Sequence, residues 1–280
     1  MKTKFKMLYL LAAGIIATTI FFACQKEGSS GNSSGNQNVS IYLTDGPGLF
    51  DHVYIDIQSV QVLVDTFANQ QSYNWGNLRD SCVSWQTLSI RPGVYDLLTL
   101  TNGTDTLLAS GSIPAGKIFG MKITLGTNNS LVKDSVSYPL NLYPGENTIL
   151  LRLKGNEFDE YLSGHLQVWL DFDVTRSIVT VRNNEFYLRP FIRLFTVKMT
   201  GSIEGKVLPR DAYSVLTVYN NQDTAYAIPG RDGEFKVRGL DPGTYSVFVN
   251  ASNGYQDTTV NNVSVQARRE TDIGRITLHH

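Results

Sequence analysis

Hydrophobic and polar residues alternate along most of this chain, which is the two-residue period of β-strands. Residues 39–44 (Val-Ser-Ile-Tyr-Leu-Thr) show this period and run into the turn-forming residues 45–48 (Asp-Gly-Pro-Gly). The next strand changes phase, because valine and isoleucine occupy the odd positions of residues 53–57 but the even positions of residues 60–64. An extra residue near positions 58–59, a β-bulge, would let both halves face the same core.

The alternation continues to residue 197, and turn-forming residues interrupt it at intervals. Turns are indicated by Arg91-Pro92-Gly93, Asn102-Gly103 and Pro114-Ala115-Gly116, and the strands beyond them by residues 119–125, 135–142, 148–153, 162–174, 178–181 and 186–197. Helical periodicity is nearly absent. The pattern predicts an all-β fold, with a meander or Greek-key sandwich in this part of the chain.

One predicted strand has an apolar face and a mixed face. Its inward set comprises Leu166, Val168, Leu170, Phe172 and Val174, and its opposite set comprises Gln167, Trp169, Asp171 and Asp173. We interpret the opposite set as a solvated face. The alternative is a functional carboxylate pair, either catalytic or joined by Asp45 and Asp51 as oxygen ligands of a calcium ion.

Residues 66–80 form the longest stretch of the folded part without a strand pattern, and loops of this length are often functional. Tyr73 and Trp75 lie within it. A polar loop has little use for a Trp unless the ring meets a partner, and flat aromatic faces suit sugar rings and proteins alike. Tyr73 and Trp75 are therefore the candidate binding residues, and the alternative is that Trp75 folds back over the sandwich.

The N-terminal segment has the pattern of an export signal. Residues 7–23 carry no charge, and Lys2, Lys4 and Lys6 precede them. With Ala23 followed by Cys24, the segment resembles a bacterial lipoprotein signal, in which that cysteine becomes the lipidated first residue of the mature protein. Residues 1–23 are then the signal peptide and Cys24 the lipidation site. The alternative is an uncleaved membrane anchor, since the apolar run approaches the length of a membrane span.

The residues after Cys24 have the composition of a flexible tether. Residues 28–36 are Gly, Ser and Asn, which cannot bury enough apolar surface to fold, so residues 24–38 are predicted to be a flexible tether. The pair Lys26-Glu27 looks like the surface-export signal of Bacteroidota lipoproteins. The expected location is the outer membrane, through the N-terminal lipid, with exposure at the cell surface as one option.

The composition supports the predicted all-β fold and limits the classes of partner that the protein can bind. Charged residues make up 18% of the chain, whereas it contains 14 Tyr and 13 Phe, a balance that suits half-buried strands. Without the three lysines of the signal, 21 Lys and Arg stand against 25 Asp and Glu, a net charge of about −4. This argues against nucleic acid as a partner, which would need a basic face.

The motifs of common enzyme and metal sites are absent from the sequence. It contains neither a Gly-x-Ser-x-Gly elbow nor a His-Glu-x-x-His helix, and its four histidines are isolated or terminal. Cys82 is the second of two cysteines, and it alternates with polar residues as a buried, inert strand thiol would; a reactive thiol is the alternative. We therefore expect no enzyme, no metal and no cofactor.

Residues 39–199 resemble the DUF4382 family, an exported all-β domain of unassigned function found in bacterial lipoproteins. The matching stretches are Leu43-Thr44-Asp45-Gly46-Pro47, Trp85-Gln86-Thr87-Leu88, Tyr95-Asp96-Leu97-Leu98 with Thr101-Asn102-Gly103, Ile113-Pro114-Ala115-Gly116, Leu170-Asp171-Phe172-Asp173 and Leu188-Arg189-Pro190-Phe191-Ile192-Arg193. The resemblance implies a larger β-sandwich and brings no activity with it.

Residues 200–280 resemble a different small domain. The stretches that carry the likeness are Gly201-Ser202-Ile203-Glu204-Gly205-Lys206-Val207, Arg231-Asp232-Gly233-Glu234-Phe235-Lys236-Val237 and Gly239-Leu240-Asp241-Pro242-Gly243-Thr244-Tyr245-Ser246-Val247. They are similar to the carboxypeptidase regulatory-like domain, a prealbumin-type sandwich with the carbohydrate-binding-like fold. Four tyrosines of this part are interpreted as strand packing, with a binding platform as the alternative: Tyr213, Tyr219, Tyr226 and Tyr255.

Taken as a whole, the sequence predicts a lipid-anchored cell-envelope protein of two β-sandwich domains. Its expected role is non-enzymatic binding or adhesion, with a glycan or a surface protein as the partner. Two alternatives remain: a carbohydrate-binding surface lipoprotein that supports glycan uptake, which rests on likeness of fold alone, and a hydrolase with an unrecognised carboxylate site.

Overall fold

A computed structural model describes residues 35–66, 83–143, 145–153, 158–162, 164–181 and 184–280. This part of the chain is dominated by β-strands, so the predicted all-β class is confirmed. The strands of the N-terminal unit are β1 (Asn36–Thr44), β2 (His52–Asp65), β3 (Val83–Thr87), β4 (Ser89–Ile90), β5 (Gly93–Asp96), β6 (Thr106–Pro114), β7 (Lys117–Leu125), β8 (Ser130–Lys133), β9 (Val136–Leu142), β10 (Thr148–Arg152), β11 (Asp159–Leu162), β12 (His165–Phe172), β13 (Ile178–Thr180), β14 (Phe186–Leu188) and β15 (Ile192–Phe195).

These strands form two sheets around one core. The first sheet has the order β11-β12-β1-β6-β4, with β15 also paired to β12; the second has the order β10-β7-β2-β8-β9-β14-β13, with β3 and β5 also paired to β2. Side chains from both sheets, including Ile41, Ile55, Met121 and Leu170, belong to one buried cluster. The long β2 contributes along its whole length, and β1 runs parallel to β12 in the opposite sheet.

The phase change of β2 is a β-bulge, as the sequence predicts. The pairing of β2 with β7 shifts register between Ile57 and Ser59. Val53 and Ile55 on one side of the shift, and Val60 and Val62 on the other, are all fully buried in the same cluster. The extra residue thus keeps both halves of the strand facing one core.

The C-terminal unit is a smaller sandwich with its own core. Its strands are β16 (Gly201–Leu208), β17 (Val215–Tyr219), β18 (Thr224–Ala227), β19 (Glu234–Leu240), β20 (Gly243–Asn250), β21 (Thr258–Val265) and β22 (Glu270–Thr277). They pair as a three-stranded sheet, β19-β16-β22, and a four-stranded sheet, β18-β17-β20-β21. A second buried cluster lies between these two sheets, built around Tyr245, Leu216 and Ile203.

A short connection and several close contacts join the two units. In the connection, the Thr200 amide donates to the carbonyl of Thr196 (3.1 Å), and the Thr200 carbonyl accepts from Arg268 of the C-terminal unit (2.9 Å). Gly239 in β19 has φ +72°, and a Cβ there would lie 2.8 Å from the ring of Phe195. Glycine is needed at 239 both for this backbone conformation and for the approach of the two units.

The interpretation of the second face of β12 as solvated is wrong. Val168, Leu170 and Phe172 do face the core, but Trp169, Asp171 and Asp173 are also at most 9% exposed. The reason is that the C-terminal unit covers this outer face, with Arg238 over Trp169, and that the Arg193 side chain of β15 pairs with Asp171. Strand alternation alone does not reveal this cover. Beyond β12, the single-turn helix α1 (Val174–Ser177) closes the strand end.

Three tyrosines of the C-terminal unit also differ from expectation. Tyr213 is 73% exposed, Tyr219 39% and Tyr226 37%, so they do not pack into the sandwich as predicted. Tyr255, in contrast, packs against the C-terminal core. Over the residues that the structure describes, no helix is long and apolar enough to cross a membrane.

Candidate functional site

The acidic residues singled out in the sequence meet where two parallel strands end. Thr44 at the end of β1 lies opposite Asp171 of β12, so Asp45 follows directly beside it. The Asp45 carboxylate Oδ1 accepts a hydrogen bond from the backbone amide of Val174 (3.1 Å). Asp173 caps α1, since its Oδ1 accepts from the amide of Arg176 (3.0 Å). We call Asp45, Asp171 and Asp173 the acidic cluster.

Arg193 neutralises part of this cluster and reaches the second unit. It lies directly opposite Asp171 in the β12–β15 pair. Its Nη2 and Nε donate to Asp171 Oδ2 at 2.6 and 3.1 Å. Its Nη1 lies 3.4 Å from Oδ1 of Asp223, in the C-terminal unit. Burial by itself lowers the pKa of Arg193, but the neighbouring carboxylates of Asp171 and Asp223 raise it by a larger amount. The guanidinium therefore stays charged.

Two carboxylate oxygens in the acidic cluster remain unsatisfied. Asp45 Oδ2 and Asp171 Oδ1 are buried, and neither has a hydrogen-bond partner within the described residues. Burial, followed by the charge of Asp171, raises the pKa of Asp45 well above its usual value. Burial also raises the pKa of Asp173, although less strongly. This burial therefore favours the neutral form of Asp45.

The space beside the acidic cluster is small. A cavity of about 40 Å³ is lined by Asp45, Asp171 and Arg193 from the N-terminal unit and by Tyr226 and Arg238 from the C-terminal unit. That volume holds roughly three water molecules. Pockets for small organic ligands measure roughly 300 to 1,000 Å³, so the cavity is too small for a sugar ring.

The calcium alternative finds no support in this geometry. Asp51 does not line the cavity; its Oδ2 instead accepts from the backbone amide of Ser135 (2.8 Å). Within the described residues, no three His, Cys, Asp or Glu side chains are grouped so as to hold a metal ion. The acidic cluster is thus an ion-pair site, and the ligand count of a calcium site is not reached.

A second group of contacts joins the two units beside the acidic cluster. Arg238 Nη1 donates to Asp105 Oδ2 (2.7 Å), which also accepts from Trp169 Nε1 (2.8 Å). The guanidinium carbon of Arg238 lies 5.5 Å from the Trp169 ring centre, within the range of a cation–π contact. Trp169 in turn stacks on Tyr42 at 4.9 Å and on Phe195 at 6.1 Å. The outer face of β1, β12 and β15 is therefore the surface on which the C-terminal unit is seated, and we call it the junction face.

Sequence reasoning missed the two arginines that organise the junction face. Arg193 stands at the end of the last motif of the family resemblance, yet nothing local shows that its partners are Asp171 and Asp223. Arg238 has no sequence signal. Trp169 offered one, because a Trp on a face that is otherwise polar indicates that something covers it.

The residues predicted to carry lipidation and binding are not among these. Cys24, Tyr73 and Trp75 lie outside the described residues, as does Cys82. Their predicted roles therefore stay predictions.

Comparison with solved structures finds distant likenesses. A cohesin–X-dockerin complex of Acetivibrio cellulolyticus is 23% identical over 28% of this chain, with a TM-score of 0.24, and the match spans 56% of that chain. The Bacillus anthracis TIE protein is 10% identical over 87% of this chain and 34% of its own (TM-score 0.21). The minor pilin of Streptococcus agalactiae is 13% identical over 85% of this chain and 94% of its own (TM-score 0.22). These likenesses are too weak to indicate a function.

The family comparison is more direct. No curated protein matches the chain. The model of DUF4382, described as a domain of unknown function, matches residues 36–190, which is more than half of the chain and includes the acidic cluster. The boundaries nearly coincide with β1 at the start and with the residues just before β15 at the end. The chain belongs to the DUF4382 family.

Proposed function

We propose that this protein is a lipid-anchored cell-envelope module that binds or adheres to a partner without catalysing a reaction. In this proposal Cys24 carries the lipid at the outer membrane and residues 24–35 are the tether, since β1 begins at Asn36, before the boundary predicted at residue 39. Residues 36–199 and 200–280 are the two folded domains. The second domain is of the carboxypeptidase regulatory-like type. The Lys26-Glu27 pair after the lipidated cysteine supports exposure of the protein at the cell surface.

One observation carries the non-enzymatic part of the proposal. The acidic cluster is the best candidate for acid–base chemistry in the described chain, and it is engaged by Arg193, which also reaches Asp223 of the other unit. A hydrolase needs a carboxylate that can touch substrate. Here the adjoining cavity of about 40 Å³ admits water but not a sugar or a peptide. The same contacts fix the orientation of one sandwich relative to the other.

The anchoring half of the proposal is tested on cells. Cells producing the chain are compared with cells producing Cys24→Ser, and the membranes are separated by density. We expect the unchanged chain in the outer-membrane fraction and the variant outside it. Recovery of Cys24→Ser in the outer membrane, with its signal removed, would contradict lipid anchoring.

The binding half is tested by retention of the same cells on coated surfaces. Cells with and without the chain are passed over surfaces coated with mixed plant polysaccharides, mucin or collagen. We expect the chain to increase retention on at least one coating and Cys24→Ser to abolish the increase. Equal retention of both kinds of cell on every coating would reject the adhesion role.

Tyr73 and Trp75 remain the proposed contact residues of the 66–80 stretch. An exposed Trp at an interface is often a hot spot, whose loss costs about 2 kcal/mol or more of affinity. Trp75→Ala is expected to weaken retention and leave thermal unfolding unchanged. A melting temperature lowered to the extent of a core mutant, where losing a buried Trp costs roughly 3 to 5 kcal/mol, would make Trp75 structural.

A further inference from the structure

The two sheets of the C-terminal sandwich differ sharply in charge. The three-stranded sheet carries acidic and basic side chains on each strand, and several of them pair across strands, as Lys236 does with Glu204 (3.2 Å) and with Glu270. The four-stranded sheet carries none: no residue of β17, β18, β20 or β21 is Asp, Glu, Lys or Arg. A solvated sheet face in a soluble domain normally mixes both signs of charge. The uncharged sheet is thus the exception within this sandwich.

Aromatic rings lie on the outer side of that uncharged sheet. Leu216 and Val218 of β17 point into the core, so Thr217 and Tyr219 point outward. The register places Tyr226 and Phe248 on either side of Thr217 in one row across the sheet. Tyr219 lies two residues further along β17, diagonal to both rings. Tyr219 and Tyr226 are 39% and 37% exposed, and Phe248 is half-buried.

Neutral hydrogen-bonding groups surround the rings. The row through Phe248 continues to the exposed Thr259, and Asn250 is exposed two residues along β20. In the neighbouring row, Ser246 lies opposite Tyr219 and donates to Asn261 Oδ1 (2.9 Å). Hydroxyls and amides donate and accept without carrying charge. We call this surface, centred on Tyr219, Tyr226 and Phe248, the tyrosine face.

This chemistry favours one kind of partner. Protein interfaces are also rich in Tyr and Phe, but they are enriched in Met and Arg and depleted of Ser, whereas the rings here are separated by Thr217 and flanked by Thr, Ser and Asn. An anionic polymer would need cations, and these four strands supply none. A neutral sugar polymer offers apolar ring faces for the aromatic side chains and uncharged hydroxyls for the amides and hydroxyls.

We propose that the tyrosine face binds a neutral polysaccharide, with Tyr219, Tyr226 and Phe248 stacking on its sugar rings and the flanking Thr, Ser and Asn side chains bonding its hydroxyls. This inference rests on the proposed binding function and names the ligand class and the surface. The tyrosine face shares Tyr226 with the cavity beside the acidic cluster, but it includes none of the three aspartates and neither Tyr73 nor Trp75.

The test measures retention of the full chain, purified in mild detergent, in native gels that contain a polysaccharide. The neutral probes are starch, xylan, mannan and a mixed-linkage β-glucan; the acidic probes are pectate and alginate. We expect at least one neutral probe to retard the protein, both acidic probes to leave it unretarded, and added salt to change nothing, because no charge is involved. Removing both exposed rings, Tyr219→Ala with Tyr226→Ala, is expected to weaken binding by about tenfold or more.

Matched variants separate binding from folding. Tyr213 is 73% exposed but lies off the tyrosine face, at the end of a 3₁₀ turn before β17, so Tyr213→Ala is expected to bind as the unchanged chain does. Tyr219→Phe with Tyr226→Phe keeps the rings and is expected to keep binding. This variant serves as the control if the double alanine variant does not fold. Thr217→Lys, which sets a charge between the rings, is expected to abolish binding.

Three results would overturn the inference. The first is that no neutral probe retards the protein, and the second is that retardation survives the double alanine change. The third is a dimer in light scattering that Thr217→Lys converts to a monomer, which would assign the face to a second copy of the chain. If no neutral probe binds while cells that display the chain still adhere to mucin or collagen, the polysaccharide assignment fails alone and the adhesion role stands.

Discussion

Arg238 of the C-terminal unit donates to Asp105 of the N-terminal unit at 2.7 Å, across 133 positions of sequence. The same Asp105 oxygen accepts from Trp169, so one carboxylate joins a strand of each sandwich. Because Arg238 also lies over the ring of Trp169, this contact combines an ion pair with an aromatic surface. These contacts hold the two sandwiches in one defined orientation. Two domains joined only by a flexible linker would lack them.

Loss of Arg238 is expected to loosen this seating. Arg238→Met keeps the aliphatic stem and removes the bonds to Asp105 and to the Gly103 carbonyl. We expect the free energy of unfolding to fall by about 1 to 3 kcal/mol and proteases to cut faster within residues 196–200. Arg275→Met, at an exposed arginine of β22, is the control. An unchanged urea midpoint and an unchanged cleavage rate would show that the contact does not stabilise the junction.

The Arg193–Asp171 pair is expected to behave as a unit. Arg193→Met alone leaves the Asp171 carboxylate buried and uncompensated, which we expect to cost about 3 kcal/mol or more. Asp171→Asn in the same chain removes the stranded charge, so the double variant is expected to lose less stability than the two single changes added together. Urea unfolding of all four proteins gives the coupling energy, expected to be about 1 kcal/mol or more. Additive losses would mean that the pair is not coupled.

Asp45 is expected to make the protein less stable as the pH rises. Burial and the charge of Asp171 raise the pKa of Asp45 above 3.8, so the folded chain keeps a proton that the unfolded chain has already released. Stability from this group is therefore full at low pH, falls as the pH rises from the unfolded to the folded pKa, and stays reduced above that. Asp45→Asn is neutral throughout and retains an oxygen for the Val174 amide.

The measurement is the difference in the free energy of unfolding between Asp45→Asn and the unchanged chain, taken by urea at several pH values from 4 to 8. We expect the difference to move in favour of Asp45→Asn as the pH increases. Asp134→Asn, at an exposed aspartate, is expected to give a difference without that trend. A trend in the opposite direction would mean that the folded chain stabilises the ionised form of Asp45.

The two units are expected to fold separately, because each has its own buried cluster. Residues 37–199 and 200–280 are expressed as fragments and unfolded by heat. Each is expected to unfold cooperatively but at a lower temperature than in the full chain, since Trp169, Phe195 and Gly239 lose their cover. If neither fragment folds, the boundary at residues 199–200 is wrong.

The sequence predicted the parts of the fold that depend on local period. The β2 bulge followed from the parity of Val53 and Val60, and the inward face of β12 followed from the alternation through Leu170. The same alternation said nothing of what covers the other face of β12. Asp171 therefore looked solvated, although Arg193, 22 positions away in sequence, pairs with it and also reaches Asp223 of the other unit. No local pattern encodes such contacts.

The tyrosines show the opposite error. Tyr219 and Tyr226 were expected to pack because aromatic residues favour half-buried strands. Their neighbours Val218 and Ala225 take the inward positions, so period two points the rings outward. The strand period was therefore sufficient to predict their exposure, and the aromatic preference was the weaker guide.

The position of β1 has a mechanical consequence. The proposed tether enters the folded chain at β1, which lies between β12 on one side and β6 on the other. A pull on the tether acts along the strand axis, while the ladder hydrogen bonds on both sides lie across it. The seven residue pairs with β12 therefore resist together, in shear, and do not open one after another as they would at a free edge. A lipid anchor under load would therefore pull on the strand of this sandwich that is hardest to extract.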